Sequence, residues 1–315
     1  MSKPIRIGLA FDMDYLIFSA MSASEEEHDW GDDLWSLECD HAKARSIMYG
    51  TIKGLKKEIA KQLEKKYPKL RAEGAYEFVE LCIISGKGNF RLDILDTYKG
   101  NRVAKRKPVG YPDFCNSTME HFGPERSFRW DGVEGDDVIG ILGTKPELAG
   151  CDRVIMVSCD KDFNTIPGDF FWMTMMELVR NTVEDADKWH MRQTLMGDTT
   201  DGYGGVPGVG EAFEGSLMDW LDDPKYYTAR EHTFLRGPRK GEIEIRYEGK
   251  TQEEMLEIDP STPDVMPLWD CMVSLAASKG MSEEDLLVQA RVARILRASD
   301  WDFEKQEPIL WTPKG

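Results

Sequence analysis

The run 5-IRIGLAF-11 is short, apolar and rich in β-branched residues, and Asp12 follows it directly. Two runs of the same kind, 78-FVELCII-84 and 153-RVIMVSC-159, come later in the chain. Runs of this length and composition are typical of strands buried in a sheet. The sequence therefore predicts three buried strands.

Helical patterns separate these runs. Apolar residues recur at helical spacing between Ile52 and Leu63, and 137-DVIGILG-143 begins another helix. Alternation of strands and helices predicts an α/β fold with a mostly parallel central sheet flanked by helices. In such sheets, ligands bind outside the carboxyl ends of the strands.

The second half of the chain has a different character. The glycine-rich stretch 197–215 predicts a hairpin between two helices. The polar segment 222–265 is expected to be loop or a small β insertion. Segments 267–280 and 282–297 predict a pair of helices close to the end of the chain.

The composition is that of a soluble cytosolic protein. The chain has 315 residues, of which 41% are hydrophobic and 31% are charged. No apolar run approaches the length of a membrane span, and the N-terminal stretch is too short and too quickly acidic for a signal peptide. The six cysteines show neither paired nor zinc-binding spacing, so we expect reduced thiols.

The distribution of charge matters more than its sum. A net charge of −17 taken alone argues against nucleic-acid binding. However, the segment 41–71 contains ten Lys/Arg and two acids, and 98-YKGNRVAKRK-107 contains five Lys/Arg and no acid. The first segment is as consistent with a solvated helix face as with a binding role.

Several carboxylates fall at predicted strand ends and turns rather than on helix faces. They are Asp12, Glu134, Asp136, Asp137, Asp160, Asp162, Asp198 and Asp201. One such residue alone is more often a turn residue or a helix cap than a functional group. Many anions at one edge of a sheet, however, require a counter-charge. Oxygen ligands suit Mg²⁺ or Mn²⁺, and two such ions are the usual device for phosphodiester hydrolysis.

Other metal and nucleotide sites are not supported. The stretch 160-DKDFNTIPGDFF-171 begins like a calcium-binding EF-hand loop, but it has Thr165 and Phe171 where that loop requires Gly and Glu. The stretch 205-GVPGVG-210 has no following Lys-Ser/Thr, which excludes a Walker-type site. The five histidines have no zinc-ligand spacing. The glycines of the hairpin instead leave backbone amides free to approach a phosphate.

Four motifs together resemble the 5′-nuclease superfamily, which includes flap endonucleases and phage 5′→3′ exonucleases. They are EGDDVIG at 134–140, SCDKDF at 158–163, GDTTDGYGGVPGVG at 197–210 and YKGNR at 98–102. Within that superfamily the chain is similar to the T-odd phage exonucleases of the gene 6 type. The resemblance implies a PIN/5′-nuclease-like core at 1–190, with a helical arch at about 91–130. It implies a helix–three-turn–helix element at about 195–222 within 191–315, followed by a variable insertion and C-terminal helices. One compact unit is expected.

The resemblance also implies roles for individual residues. Asp12, Glu134, Asp136 and Asp137 would hold or support a first Mg²⁺, and Asp160, Asp162, Asp198 and Asp201 would serve a second, with Mn²⁺ as a substitute. Lys99 and Arg91 would be catalytic, with Lys99 on the scissile phosphate. The DNA-binding residues would be Arg102, Lys105, Arg106, Lys107, Gly208 and Gly210, with K⁺ as a further ligand of the glycine hairpin.

One departure from the family pattern lies in 84-ISGKGNFR-91. Ser85 and Gly86 stand where the family commonly has an acid, so the first ion is expected to have one fewer protein ligand. Asp93 is not assigned in its place.

The resulting hypothesis is a Mg²⁺-dependent 5′→3′ exonuclease on double-stranded DNA. It would also act on RNA in RNA–DNA hybrids, as in primer removal, during phage replication or recombination. Partners from the replication machinery are part of this expectation, membranes are not, and the cytoplasm of an infected bacterial host is the expected location. Two alternatives are a non-catalytic DNA-structure-binding protein on a degenerate nuclease fold and a related metal-dependent ribonuclease.

Overall fold

A computed structural model describes residues 3–102, 106–263 and 265–313. The chain forms two compact units. The first, called the sheet unit, comprises Met1–Phe90, Arg102–Asp187 and Ile295–Ile309. The second unit comprises Arg91–Asn101, Lys188–Arg294 and Leu310–Gly315. The sequence-based division at residue 190 and its single compact unit stay predictions.

The described residues form strands and helices throughout both units. The strands are β1 (Ile5–Asp12), β2 (Glu25–Asp29), β3 (Trp35–Cys39), β4 (Tyr76–Ile83), β5 (Ser127–Phe128), β6 (Arg153–Ser158), β7 (Gly168–Trp172), β8 (Glu177–Asn181), β9 (Tyr226–Thr233), β10 (Ile243–Lys250), β11 (Trp301–Asp302) and β12 (Glu307–Pro308). The helices are α1 (Met13–Ser22), α2 (His41–Lys66), α3 (Arg91–Ile94), α4 (Tyr111–Phe122), α5 (Gly135–Thr144), α6 (Val183–Met196), α7 (Leu217–Asp222), α8 (Gln252–Ile258), α9 (Leu268–Ser278) and α10 (Glu283–Ala293). No helix in these described ranges is long and apolar enough to cross a membrane.

The sheet unit is built on a six-stranded sheet in the order β5-β4-β1-β6-β7-β8. Strands β4, β6 and β7 continue the direction of β1, and β5 pairs in parallel with β4. Only the pairing of β7 with β8 is antiparallel among the described strands of this sheet. The predicted mostly parallel α/β sheet flanked by helices is therefore confirmed.

Strand β1 lies at the centre of the sheet and is buried on both faces. Ile7, Leu9 and Phe11 belong to one core cluster with helices α1, α2 and α4. Ala10 faces the opposite cluster, which contains residues of α5, β4 and β6. Since alternate residues of a strand point to opposite faces, an apolar run without alternation is the pattern required for a strand covered on both sides.

The structure differs from the sequence prediction in two segments and decides between two predictions for a third. Helix α10 ends at Ala293 rather than at 297, because the chain becomes extended from Arg294 onward. The segment 222–265 contains an antiparallel ribbon of β9 and β10, which agrees with the small β insertion that was one of the two predictions. An unpredicted hairpin of β2 and β3 follows α1. Strand β2 is polar throughout, so it gives no buried-strand pattern, whereas the alternation of β3 from Trp35 to Cys39 was a signal that was missed.

Helix α5 is fixed against the sheet unit at Gly140. A Cβ atom placed there would lie 2.4 Å from the carbonyl oxygen of Leu296, which is backbone and cannot move aside alone. We predict that Gly140→Ala lowers the free energy of unfolding by about 1–3 kcal/mol, as expected for overpacking. Urea denaturation measures the change.

Gly54 offers a matched control inside helix α2. None of the described atoms lies within 4 Å of a Cβ placed on Gly54. Gly54→Ala is therefore expected to raise the free energy of unfolding by about 0.5–1 kcal/mol. Equal stabilities of the two variants would contradict the packing assigned to Gly140.

Candidate metal centre

Asp12 ends strand β1 and also caps helix α1. Its Oδ1 accepts a hydrogen bond from the backbone amide of Tyr15 at 3.2 Å, and its Oδ2 accepts one from the hydroxyl of Ser158 at 2.9 Å. The parallel register pairs Asp12 with Ile83, and Phe11 with Val157. The carboxyl ends of β1, β4 and β6 therefore meet at one edge of the sheet.

Asp160 reaches the same edge from strand β6. Its backbone amide donates to the Ser158 hydroxyl at 3.1 Å, so this one hydroxyl connects Asp12 with Asp160. Asp160 also caps the 3₁₀ helix Lys161–Thr165, because its Oδ1 accepts from the amide of Asp162 at 2.9 Å. The carboxylate of Asp162 contacts Lys161 Nζ at 2.8 Å.

The electrostatics relate several carboxylates near this edge to one another. Burial, together with the charges of Asp14 and Asp160, raises the pKa of Asp12 to about 6. Burial, together with the charges of Asp12, Asp160 and Asp136, raises the pKa of the Cys159 thiol to about 11. The charges of Asp12, Asp136 and Asp160 therefore all act on one thiol that follows strand β6.

Asp14 belongs to this cluster and was not among the predicted site residues. Its Oδ2 accepts from the backbone amide of Ser85 at 2.8 Å, and its Oδ1 accepts from the hydroxyl of Tyr111 at 3.2 Å. The spacing Asp12-x-Asp14 directly after a strand was the available signal. Ser85 occupies the place of the missing acid, and its hydroxyl accepts from the amide of Gly135 at 2.8 Å.

The motif EGDDVIG divides its three carboxylates between different tasks. Helix α5 begins at Gly135 after Glu134, so the acids lie at the positive end of the helix dipole. Asp137 is fully buried, and its oxygens accept from the amides of Glu134 at 3.1 Å and Leu296 at 3.0 Å. Asp137 thus caps the helix and anchors the segment that follows α10, whereas Asp136 is partly exposed.

The donors at this edge fit a hard divalent cation, because all of them are carboxylate oxygens. Among the described residues, no three His, Cys, Asp or Glu side chains are already arranged to hold a metal ion. The carboxylates at this edge are close enough to be destabilised as anions. Burial and the neighbouring charges of Asp14 and Asp160 accordingly raise the pKa of Asp12.

In the second unit, the predicted residues Asp198 and Asp201 lie in one tight turn. Asp198 Oδ1 accepts from the amide of Thr200 at 2.8 Å, and the Asp198 amide donates to Tyr203 O at 2.9 Å. Asp201 accepts at Oδ2 from the hydroxyl of Tyr98 at 3.2 Å. The motifs YKGNR and GDTTD, separate in the sequence, are therefore in contact.

Lys99 is held firmly against this turn. Its amide donates to Asp201 O at 2.7 Å, and its Nζ lies 3.6 Å from Asp201 Oδ2 and 5.1 Å from the centre of the Tyr98 ring. Its φ of 53° is in the left-handed region, which is unfavourable for a side-chain-bearing residue. Strain at a fixed, 18% exposed lysine is consistent with a functional position.

Arg91 has a different environment from Lys99. It is only 2% exposed, and its guanidinium donates to the carbonyl oxygens of Val292 and Arg294. A guanidinium used in this way closes the end of helix α10. We therefore propose that Arg91 positions the segment that carries Lys99 and does not touch the phosphate.

The predicted DNA-binding residues lie in two regions. Arg106 makes a bidentate pair with Glu25 at 2.8 and 2.7 Å, which lowers the pKa of Glu25, and Lys107 Nζ lies 4.6 Å from the centre of the Tyr111 ring. Arg102 ends the 3₁₀ helix Gly100–Arg102. Lys105 lies outside the described residues.

The glycine hairpin has a closed base and an open tip. A Cβ on Gly205 would lie 2.4 Å from the backbone nitrogen of Gly197, so only glycine fits there. At Gly208 and Gly210, no described atom lies within 4 Å of the Cβ position, and Gly208 has a φ of +77°. The backbone at the tip is therefore accessible, as a phosphate-binding role requires.

Comparison with known proteins identifies relatives of this chain. No protein-family model matches the chain. The exodeoxyribonuclease of Enterobacteria phage T3 is 36% identical over 311 residues, which cover 98% of this chain and 93% of the relative. The exonuclease of Escherichia phage T7 is 36% identical over 309 residues, which cover 97% and 93%. Among solved structures, the T5 D15 protein co-crystallised with metal ions has 18% identity and a TM-score of 0.47, with 91% of this chain and 89% of that chain covered.

Identity of this extent over nearly the full chain defines the class as an exonuclease of the 5′-nuclease superfamily. The chain belongs to the family of the T3 and T7 phage exonucleases. The family expected from EGDDVIG, SCDKDF, GDTTDGYGGVPGVG and YKGNR is thereby confirmed.

The raised pKa of Asp12 predicts how stability depends on pH without metal. The folded chain retains this proton up to a pH of about 6, whereas the unfolded chain loses it near 3.8, so the folded state loses stability between those values. Above that window the penalty is on the order of 3 kcal/mol. We expect Asp12→Asn to be more stable than the wild type at neutral pH in EDTA and to lose less stability as the pH rises.

Urea denaturation across that pH range in EDTA measures this difference. The exposed Asp93, changed to Asn, serves as the control and should follow the wild type. A pH dependence of Asp12→Asn that is parallel to that of the wild type would show that Asp12 does not carry the penalty.

Proposed function

We propose that this phage-type 5′→3′ exonuclease hydrolyses double-stranded DNA from the 5′ end with divalent metal ions, Mg²⁺ first among them. The observation that carries this proposal is the convergence of Asp12, Asp136 and Asp160 at the carboxyl edge of a parallel sheet. A chain that only bound DNA would gain nothing from buried carboxylates that repel phosphate.

The residues at this edge divide into ligands and supports. Asp12, Asp136, Asp160 and, at the start of α5, Glu134 would hold metal. Such cations, when bound, would activate the attacking water and stabilise the leaving oxygen. Asp137 supports the site indirectly, because its hydrogen bonds to the amides of Glu134 and Leu296 fix the start of helix α5. The assignments of Asp162, Asp198 and Asp201 to a second ion stay predictions.

Ser85 supports this reading rather than the degenerate, non-catalytic alternative. Its amide donates to Asp14 and its hydroxyl accepts from Gly135, so it ties the start of α1 to the start of α5. Ser85, at the position of the missing acid, therefore fixes the carboxylate of Asp14 and the start of the helix that carries Asp136. A family member that keeps this arrangement has retained the framework of a metal site.

In the second unit, the tip of the glycine hairpin would bind duplex backbone at Gly208 and Gly210, with K⁺ as a further ligand. Lys99 would contact the scissile phosphate. RNA in RNA–DNA hybrids is a second substrate to test beside duplex DNA. The protein would act in the cytoplasm of an infected bacterium, with replication proteins as partners.

The central test removes one carboxylate at a time. We predict that Asp136→Ala or Asp160→Ala abolishes Mg²⁺-dependent release of 5′ nucleotides while duplex binding is kept. The physical reason is that each change removes metal-binding oxygens without altering a basic or backbone contact to DNA. Duplex and hybrid substrates labelled at the 5′ or the 3′ end, incubated with Mg²⁺ or EDTA, provide the assay.

Asp93→Ala is the control, since Asp93 is an exposed acid on helix α3. It should cleave like the wild type. Normal cleavage by Asp136→Ala and Asp160→Ala would refute the metal assignment, and cleavage that persists in EDTA would refute the metal-dependent mechanism.

Lys99 has a separable role. We predict that Lys99→Met slows cleavage by about 100-fold or more with little change in duplex affinity, because it removes a fixed positive charge that would face developing charge on the phosphate. Lys99→Arg should restore part of the rate. Single-turnover cleavage and equilibrium binding give the two readouts, with the exposed Lys279→Met as the control. A change in affinity alone would make Lys99 a general binding residue.

A further inference from the structure

The ribbon β9–β10 is anchored at one end and exposed at the other. At the anchored end, the amide of Tyr227 donates to the hydroxyl of Ser274 at 2.9 Å, and Tyr226 packs against the core of the second unit. Both strands become exposed away from that end. Eight paired residues in each strand span about 26 Å, so the turn between them projects from the body of the second unit.

The turn at the far end has a defined backbone. The amide of Gly241 donates to Phe234 O at 2.8 Å, and that of Lys240 donates to Gly237 O at 3.1 Å. Gly237 and Gly241 have positive φ angles of 80° and 91°, which glycine adopts without strain. Together with the fixed φ of Pro238, these features order the turn.

The charge of this turn is opposite to that of the whole protein. The stretch 234-FLRGPRKG-241 contains three basic residues and no acid, in a chain of net charge −17. The guanidinium of Arg239 stacks 4.0 Å from the centre of the Phe234 ring and is paired with Glu242 at 2.7 Å. Arg236 and Lys240 are exposed. The turn therefore presents a positive charge on each side of Pro238.

An exposed apolar residue directly precedes these charges in the turn. Leu235 is 79% exposed, although burial is the usual environment for leucine. Two-stranded ribbons fit the grooves of duplex DNA, and minor-groove proteins combine Arg or Lys with an inserted Leu, Ile or Pro. Leu235, which is followed by Arg236, and Pro238, which lies between Arg236 and Lys240, have this composition.

We propose that the tip of ribbon β9–β10 is a second DNA contact, in which Arg236 and Lys240 bind backbone phosphates and Leu235 enters the minor groove of the duplex. The proposal rests on the proposed function in taking duplex DNA as the ligand. It adds a binding element in the insertion 222–265 to the glycine hairpin and the basic segment around Lys99.

The first experiment compares the double variant Arg236→Ala/Lys240→Ala with the wild type. Fluorescence anisotropy with blunt duplex DNA in EDTA, over a series of salt concentrations, gives affinity and its salt dependence. Loss of two phosphate contacts should reduce the slope of log K against log salt by about 1.8 and weaken binding by about 10-fold at low salt. The control Lys279→Ala/Lys305→Ala removes the same charge from exposed lysines elsewhere and should keep the wild-type slope.

The second experiment tests Leu235 alone. A duplex carrying 2-aminopurine at successive positions should become brighter where Leu235 unstacks a base step. Leu235→Ser should remove that increase and leave the salt slope unchanged. An identical 2-aminopurine signal for the variant would overturn the groove contact.

One face of the ribbon also exposes Ile243 and Ile245. The competing hypothesis is therefore that the ribbon contacts a protein rather than DNA. Sedimentation of wild type, Leu235→Ser and Ile245→Thr distinguishes the two. A wild-type slope for Arg236→Ala/Lys240→Ala, or self-association lost in Ile245→Thr, would overturn the DNA assignment. Failure of the wild type to cleave duplex DNA, with binding still weakened in the tip variant, would refute the proposed function and leave the ribbon contact standing.

Discussion

Parallel pairing of β1 with both β4 and β6 is the constraint on which the rest of the structure depends. Since all three strands run in one direction, their carboxyl ends and the acids that follow them must share one edge. The apolar residues of β1 fill cores on both faces of the sheet, so this strand cannot slip by one residue without exposing them. The sheet thereby holds carboxylates close together although their charges repel each other.

The fold then stabilises this unfavourable edge with dipoles and hydrogen bonds. Helix α5 directs its positive end toward Glu134 and Asp136, and Asp137 is satisfied by two backbone amides. The hydroxyl of Ser158 connects Asp12 to the chain at Asp160. These contacts fix where the carboxylates are, but they do not neutralise them, and burial together with the charges of Asp14 and Asp160 keeps the pKa of Asp12 raised. A divalent cation is the counter-charge that such an edge requires.

Sequence patterns were sufficient for the sheet and for α5, and they located acids at the ends of β1 and β6, because strand runs and the acids that follow them are local features. They were insufficient for Asp14 and Ser85, whose roles depend on hydrogen bonds across the sheet edge. They also could not show that Arg91 is buried, because a buried arginine and an exposed one have the same letter in the sequence; its catalytic role stays a prediction. The ribbon β9–β10 was predicted only as one of two alternatives, since β9 lacks a clear alternation although β10 alternates from Ile243 to Glu248.

The sequence by itself determined the family and the parallel α/β core, and it supplied the candidate acids and the candidate lysine, because these are encoded in short motifs with fixed spacing. Only the tertiary structure showed that Asp137 is the acid of EGDDVIG that fixes the helix. Only the tertiary structure also showed that YKGNR contacts GDTTD. Only the tertiary structure, likewise, showed that FLRGPRKG stands at the end of a projecting ribbon. Those outcomes depend on which distant backbone groups reach a side chain, and chain folding alone sets those distances.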